Sequence, residues 1–307
     1  MILNIFFIVI GIVLVLWGAD RLTDGAVAVA EKMKMPQIVI GLTIVAMGTS
    51  MPEFCVSLIS ALKGTSDLAV GNIVGSNIFN TLLIVGVSAL VAPMSIMKTT
   101  VRKDIPFALV ASALLLIMCL DGDISRIDAA ILFVMFLIFM YITLRGAKAQ
   151  GTDVEEKEKK PMATWLSVVW ILVGLACLIG GSNLFVDGAT VVATKLGVSE
   201  AVIGLTIVAG GTSLPELATS VVSARKGNSG IAIGNVLGSN VFNILAILGL
   251  TGVISPMTLK GITMTDLSMM VISIILIWLF SFTKYKIERW EGAILTAVFV
   301  GYIYSLL

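Results

Sequence analysis

Hydrophobic residues run along this chain in long unbroken blocks. They show neither the alternation of a half-buried strand nor the single apolar stripe of a soluble helix. Ten blocks stand out, at 2–27, 37–62, 68–92, 104–120, 126–145, 163–192, 199–224, 229–254, 264–283 and 289–306. Crossing the hydrocarbon core of a bilayer takes about 20 apolar residues as a helix. The blocks therefore predict an all-α membrane protein of ten transmembrane helices. The first run, Ile2 to Trp17, has no basic segment before it and no small-residue cleavage site after it, so it reads as the first span and not as a removable leader. The one clearly hydrophilic stretch, Lys148 to Lys160, reads as a solvated loop and divides the chain in half.

The two halves repeat each other. Residues 40–60, IGLTIVAMGTSMPEFCVSLIS, match residues 203–223, IGLTIVAGGTSLPELATSVVS, at 14 of 21 positions with an offset of 163. At the same offset GNIVGSNIFN at 71–80 matches GNVLGSNVFN at 234–243, and Asp24-Gly25-Ala26 matches Asp187-Gly188-Ala189. The expected organisation is a five-helix repeat over 1–147, a linker loop over 148–161, and a second five-helix repeat over 162–307. Because five is odd, the second copy enters the membrane from the opposite side. The halves are then inverted about a pseudo-two-fold axis in the membrane plane. With the N-terminus outside, fifteen lysines and arginines fall in inner connections and four in outer ones, leaving Arg21 uncounted. That asymmetry predicts extracellular termini and a cytoplasmic central loop in a cell-membrane protein.

Composition sharpens this picture. The chain is 58% hydrophobic and 13% charged, with a mean hydropathy of +1.07, which excludes a soluble domain. A net charge of +1 gives no reason to expect a nucleic-acid partner. No obligatory protein partner is evident; the expected surroundings are the lipid bilayer. Cys55, Cys119 and Cys177 sit in apolar runs without metal-ligand spacing and read as small hydrophobes. With no histidine at all, a His-containing metal site or catalytic triad is impossible, and any proton coupling would run through carboxylates. We expect a transporter and not an enzyme, with no resident cofactor.

The candidate chemistry lies inside the apolar blocks. Pro52, in Gly48-Thr49-Ser50-Met51-Pro52-Glu53, interrupts the second span by removing a backbone donor, and Gly48 loosens the chain just before it. Gly211-Thr212-Ser213-Leu214-Pro215-Glu216 repeats the arrangement in the seventh. Paired broken helices in two halves point to a substrate site. Ser50 with Glu53, and Ser213 with Glu216, also fit a helix-capping box. Capping alone does not account for two carboxylates, each costing about 3 kcal/mol near the bilayer centre. No lysine or arginine in neighbouring spans offers to pair with them, so a bound cation is the natural partner. Oxygen donors suit Ca²⁺ or Na⁺. Backbone carbonyls around Ala46-Met47 and Ala209-Gly210, at half-helix C-terminal ends, are expected to be unwound and to favour cations. In the third and eighth spans, Gly71/Gly75 and Gly234/Gly238 fit small-residue packing. Packing leaves unexplained the Ser and Asn at four-residue spacing (Asn72, Ser76, Asn80; Asn235, Ser239, Asn243), which either complete a cation cage or bind water in it. Asp24 and Asp187 are surface anchors or residues on an ion pathway; Asp121, Asp123 and Asp128 read as loop charges.

These two motifs, each present twice, resemble the cation/Ca²⁺ exchanger superfamily over essentially the whole chain, and most closely the prokaryotic Na⁺/Ca²⁺ exchangers. The resemblance implies an electrogenic antiporter that moves more than two Na⁺ per Ca²⁺. It implies that Glu53 and Glu216, with backbone oxygens of Thr49 and Thr212, hold Ca²⁺. Na⁺ would use the same glutamates with Ala46, Thr49, Ser50, Ser76, Ala209, Thr212, Ser213 and Ser239, while Asn80 and Asn243 complete the central site. Spans two, three, seven and eight then carry the ion site, spans two and seven being broken, and the long first and sixth spans slide as a pair. The K⁺-dependent branch carries Asp where Asn243 stands, which argues against K⁺ co-transport. Proton-coupled relatives carry an acidic residue within the GN-containing motif, where this chain has Gly75-Ser76 and Gly238-Ser239. Ca²⁺/H⁺ antiport through the same glutamates is the alternative. A passive channel fits inverted halves less well, and a non-transporting scaffold predicts no carboxylates in the membrane.

Overall fold

The computed structural model describes residues 2–150, 162–197 and 209–306. Long helices dominate: α1 (Ile2–Met33), α2 (Gln37–Thr49), α3 (Met51–Leu62), α4 (Ser66–Val91), α5 (Thr100–Asp121) and α6 (Arg126–Gln150) precede the linker. After it come α7 (Thr164–Lys195), α8 (Ala209–Thr212), α9 (Leu214–Arg225), α10 (Ser229–Ile254), α11 (Met264–Ser281) and α12 (Arg289–Leu306). Among the described residues, seven helices are long and apolar enough to cross a membrane, or eight if the bent pair α2 and α3 is one span. Of the predicted seventh span, residues 199–208 lie outside the described residues, as does most of the predicted linker. The predicted tenth is α12, which Arg289 and Glu291 make more polar at its start. Large apolar side chains such as Phe6, Val13, Leu137 and Val300 are exposed, as a lipid-facing surface requires, and Trp165, Trp290 and Tyr304 are exposed near helix ends.

α1 and α7 have 32 residues each, about 48 Å at 1.5 Å per residue and well beyond the roughly 30 Å hydrocarbon core. They pack antiparallel along a stripe of glycines spaced by seven: Gly11, Gly18 and Gly25 on α1, Gly174, Gly181 and Gly188 on α7. A Cβ on Gly11 would sit 2.6 Å from the Gly181 carbonyl oxygen, and one on Gly18 would sit 2.8 Å from that of Gly174. The two backbones are in direct contact, the close approach that small residues permit in a membrane.

α10 is buried from Ile231 to Gly249. It packs on α2, where Gly41 and Gly234 approach so closely that a Cβ on either would lie 2.9 Å from the other's Cα. The expected small-residue packing thus holds for Gly234 and Gly238. The segment that the repeat would set against Gly71 and Gly75, near 201–208, lies outside the described residues.

Two short antiparallel strand pairs tie connections together. Met94–Ser95 (β1) pairs with Lys286–Ile287 (β4), and Asp123–Ile124 (β2) with Met257–Thr258 (β3). Asp67 Oδ1 accepts the backbone N–H groups of Lys260 and Gly261, and Gln37 donates to Asn228. Asp121 ends α5, Asp123 opens β2 and Asp128 lies in the first turn of α6, all three at the connection between α5 and α6, with Asp128 accepting from Ser125. The three cysteines are free.

Candidate functional site

The breaks in α2–α3 and α8–α9 come from the prolines. Pro52 has no N–H to offer the carbonyl four residues back, at Gly48, and Pro215 none for Gly211. The chain bends by 48° between α2 and α3. The interruption is narrower than expected. Ala46 and Met47 keep helical geometry in the last turn of α2; only Ser50 departs from it, and its N–H still donates to Ala46 O at 3.0 Å. Ser213 is the matching residue between α8 and α9. Ala209 opens α8, and what precedes it lies outside the described residues. Gly48 and Gly211 also make room: a Cβ on either would collide with α7, at Leu175 and Val186 respectively.

Glu53 and Glu216 are fully buried in the first turns of α3 and α9. The serines beside them do not cap their own helices. They cross over. Ser50 Oγ donates to Glu216 Oε1 at 3.0 Å, and Ser213 Oγ donates to Glu53 Oε1 at 3.0 Å. The capping-box explanation of the Ser-x-x-Glu spacing therefore fails, and each half of the repeat supplies the donor for the other half's glutamate. Ser76 Oγ lies 3.4 Å from Glu53 Oε1 and 3.1 Å from Ser213 Oγ. Its repeat mate Ser239 is fully buried beside Glu216 but makes no well-formed hydrogen bond. The crossed serines bring the two carboxylates into one buried cluster, and among the described residues neither has an ion-pair partner.

Backbone positions are held by asparagines. Asn72 Nδ2 donates to Glu53 O at 3.2 Å and Ser57 Oγ at 3.0 Å; Asn235 Nδ2 donates to Glu216 O at 3.3 Å and Ser220 Oγ at 3.0 Å. Thr49 Oγ1 donates to Asn235 Oδ1 at 3.1 Å, and Thr212 is half-buried at the end of α8. Asn80 and Asn243 lie in π-helical turns, Phe79–Ile84 in α4 and Phe242–Leu248 in α10, a distortion found often at functional sites. Asn243 Nδ2 donates to Ser76 Oγ at 3.3 Å, which joins it to the Glu53 cluster.

Among the described residues, four buried acceptors in this cluster meet no donor: Glu53 Oε2, Glu216 Oε2, Asn80 Oδ1 and Asn243 Oδ1. A buried polar atom without a partner costs about 1–3 kcal/mol, and more if charged. Four oxygens with that cost around two carboxylates form a centre short of positive charge, which a hard cation would satisfy. The structure thus gathers Glu53, Glu216, Ser50, Ser213, Ser76, Ser239, Asn80 and Asn243 into one buried polar region, with Thr49 and Ala46 bordering it. Asn77, Asn240 and Thr81, not singled out in the sequence, belong to the same region. The third-place Asn of Gly-Ser-Asn, at 77 and 240, was the available signal.

Asp20 and Asp24 form a different group. Lys226 Nζ lies 2.6 Å from Asp20 and 2.8 Å from Asp24, with Arg21 beside both. Asp24 is thus an anchor between α1 and the end of α9. Its repeat mate Asp187 is exposed.

Helices long enough to cross a bilayer, with a span bent at Pro52 beside buried Glu53 and the matching Pro215 and Glu216 in the other half, define a multi-pass membrane transporter. The chain belongs to the sodium/calcium exchanger protein family, whose model matches residues 3–145 and 166–307. It is similar to the sodium/calcium exchanger MaX1 of Methanosarcina acetivorans, 32% identical over 344 residues that cover 99% of this chain and 98% of that one. It is likewise similar to the inner membrane protein YrbG of Escherichia coli, 38% identical over 316 residues, covering 100% and 97%. Its fold matches the solved structure of the sodium-calcium exchanger NCX_Mj soaked with 2.5 mM Na⁺ and 0.1 mM Ca²⁺, with a TM-score of 0.88, 31% identity and coverage of 100% of this chain and 99% of that one.

Proposed function

We propose that this protein is an electrogenic antiporter that exchanges Na⁺ for Ca²⁺ by alternating access, with both ions competing for Glu53 and Glu216. The observation that carries this is the set of four buried oxygens, two of them carboxylate, that meet neither a donor nor a balancing cationic side chain among the described residues. In this reading Ca²⁺ is held by the glutamates and backbone oxygens of Thr49 and Thr212. Na⁺ uses the glutamates with Ala46, Thr49, Ser50, Ser76, Ala209, Thr212, Ser213 and Ser239, and Asn80 and Asn243 face the centre. Two carboxylates neutralise one Ca²⁺, so more than two Na⁺ leave the Na⁺-loaded limb net positive. Na⁺ as counter-ion is supported by the family and by relatives named sodium/calcium exchangers.

The accompanying topology has ten spans in two inverted repeats, 1–147 and 162–307, joined by a cytoplasmic linker at 148–161, with both termini extracellular. Support comes from the cross-ties: β1 with β4, β2 with β3, Asp67 with Lys260 and Gln37 with Asn228 each join connections that this alternation puts on one side.

The experiment is Ca²⁺ uptake into proteoliposomes. An outward Na⁺ gradient is expected to drive uptake, and an inside-negative potential to speed it if Ca²⁺ entry is the exit of fewer positive charges, or slow it if Na⁺ carries the surplus outward; the surplus Na⁺ predicts slowing. Uptake driven by a pH gradient with Na⁺ absent would replace this reading with Ca²⁺/H⁺ exchange. Downhill flux needing neither ion would indicate a channel.

Alternation itself has a testable hinge. Lys226 ties α9 to Asp20 and Asp24 on α1, and Thr23 shares a 3.0 Å hydrogen bond with Ser223 beneath them. The repeat mates of Lys226 and Asp24 are Lys63 and Asp187; among the described residues they form no ion pair. The bridge thus ties α1 of the first half to the end of α9 in the second. A half-exposed bridge is worth about 1 kcal/mol or less, enough to bias a state without locking it. Lys226→Gln is expected to raise several-fold the labelling of Thr23→Cys by an impermeant maleimide applied from the cytoplasmic side. Unchanged labelling would show that the bridge closes nothing.

A further inference from the structure

Asn80 and Asn243 each leave a carbonyl oxygen buried without a donor among the described residues, while their amide nitrogens are engaged by other groups. An asparagine side chain has nearly the same shape either way round, so something must hold each one in that sense. The holding groups can be traced one hydrogen bond at a time.

The first relay starts at the backbone carbonyl of Asn240. That oxygen can only accept, so the Asn77 group 3.3 Å from it is Nδ2. Asn77 Oδ1 then faces the other way and accepts from Asn243 Nδ2 at 3.0 Å. Asn243 Oδ1 is left without a donor, buried. The second relay starts at the backbone carbonyl of Asn77. Thr81 Oγ1 donates its one proton there at 2.6 Å, so the same oxygen can only accept from its other neighbour, Asn240 Nδ2, at 2.7 Å. Asn240 Oδ1 therefore turns to Asn80 and accepts from its Nδ2 at 3.2 Å. Asn80 Oδ1 is left buried without a donor.

Each relay crosses between the two halves, and each ends on a buried oxygen without a donor among the described residues. They are not mirror images. The second passes through the Thr81 hydroxyl, and the repeat mate of Thr81 is Ile244, which has no hydroxyl. The side-chain polar atoms of Asn77, Asn240 and Thr81 are all engaged within the relays.

We propose that Asn77, Asn240 and Thr81 are positioning residues that set the sense of the Asn243 and Asn80 amides, so that two neutral oxygens face the cation. This rests on the reading of Glu53 and Glu216 as the cation site. Its consequence is selective for charge. Reversing either amide would aim an N–H dipole at the cation and repel it, while leaving shape, volume and net charge unchanged. Thr81 is the lever because removing its hydroxyl frees the Asn240 amide, and through it the Asn80 amide, to turn over.

The test is Thr81→Val, which keeps the shape and removes the hydroxyl, against Thr81→Ser, which keeps the hydroxyl; Thr81→Ala replaces the valine variant if that one does not fold. Equilibrium ⁴⁵Ca²⁺ binding in detergent and Na⁺-driven uptake in proteoliposomes are both measured. Thr81→Val is expected to weaken Ca²⁺ binding by about tenfold, which is about 1.4 kcal/mol, with the maximal uptake rate within about twofold of the parent. Thr81→Ser is expected to bind as the parent does. A carboxylate offers oxygen either way round, so in an Asn80→Asp background Thr81→Val should cost no further affinity. Equal losses in both backgrounds, or equal binding by the Val and Ser variants, would overturn the proposal. Glu53→Gln in the same binding assay separates the two levels. If it binds Ca²⁺ as the parent does, the site itself is misassigned. If it loses binding while Thr81→Val does not, the relays alone are wrong.

Discussion

Glu53→Gln and Glu216→Gln should each reduce Na⁺-driven Ca²⁺ uptake more than a hundredfold. Each substitution removes one of two charges that would neutralise Ca²⁺, and each can turn an amide N–H towards the ion. Losing a charge contact in a buried site commonly costs 3 kcal/mol or more, which is above a hundredfold in affinity. The fold should survive, because Ser213 and Ser76 can still donate to an oxygen at position 53, and Ser50 to one at 216. Stability supplies a second readout of opposite sign. In ion-free buffer the parent holds two buried acidic side chains with no cationic partner among the described residues, so replacing one by a neutral amide should raise the melting temperature. Added Ca²⁺ should then stabilise the parent, by about 2.7 kcal/mol at a hundred times Kd, and leave either variant unchanged. Full exchange in both glutamine variants would refute the two-glutamate site.

Gly18→Val and Gly181→Val should abolish folding or leave a protein whose α1–α7 pair no longer acts as one body. An added Cβ would lie 2.8 Å from the carbonyl oxygen of Gly174 in the first case and 2.8 Å from that of Gly11 in the second. These are backbone atoms, so no side chain can swing away. Overpacking of ordinary cores costs about 1–3 kcal/mol, and a branched side chain pressed into a backbone should exceed that. Gly180→Val is the control: among the described residues nothing lies within 4 Å of its added Cβ. Detergent extraction followed by size-exclusion chromatography should show loss of the monodisperse peak for positions 18 and 181 and its retention for 180. Tolerance of valine at all three would mean that the glycine stripe is not what holds the pair.

Gly180 and Gly181 show where reading the chain stops. Side by side they are indistinguishable as letters, yet only one is pressed against α1. The sequence motifs had marked Gly25 by its repeat, but the seven-residue stripe is visible only when α1 and α7 are set against each other. Ser50 and Glu53 teach the same point. Their spacing suits a local cap, and the local explanation was available until the crossing of Ser50 to Glu216 and Ser213 to Glu53 removed it. Unwinding was expected around Ala46 and Met47, ahead of Gly48 and Pro52, whereas these two residues stay α-helical between a π-helical turn at Gly41–Val45 and the break at Ser50. Asn72 and Asn235 looked like further cage residues, and they hold the glutamates' backbone carbonyls instead.

Apolar block length, the offset of 163 and the two Pro-Glu motifs were enough to establish a membrane chain, its internal repeat and the two glutamates at its centre. Those are properties of neighbours along the chain: a block spans a bilayer whatever surrounds it, and a proline frees a carbonyl wherever it sits in a helix. Tertiary structure decided which serine serves which carboxylate, which glycine touches backbone, and which way the Asn80 and Asn243 amides point. Each of these is a relation between groups brought together from different spans, most of them from opposite halves of the repeat. A hydrogen bond's direction is set by the partner's remaining donors and acceptors, and those become known only when both partners are in place.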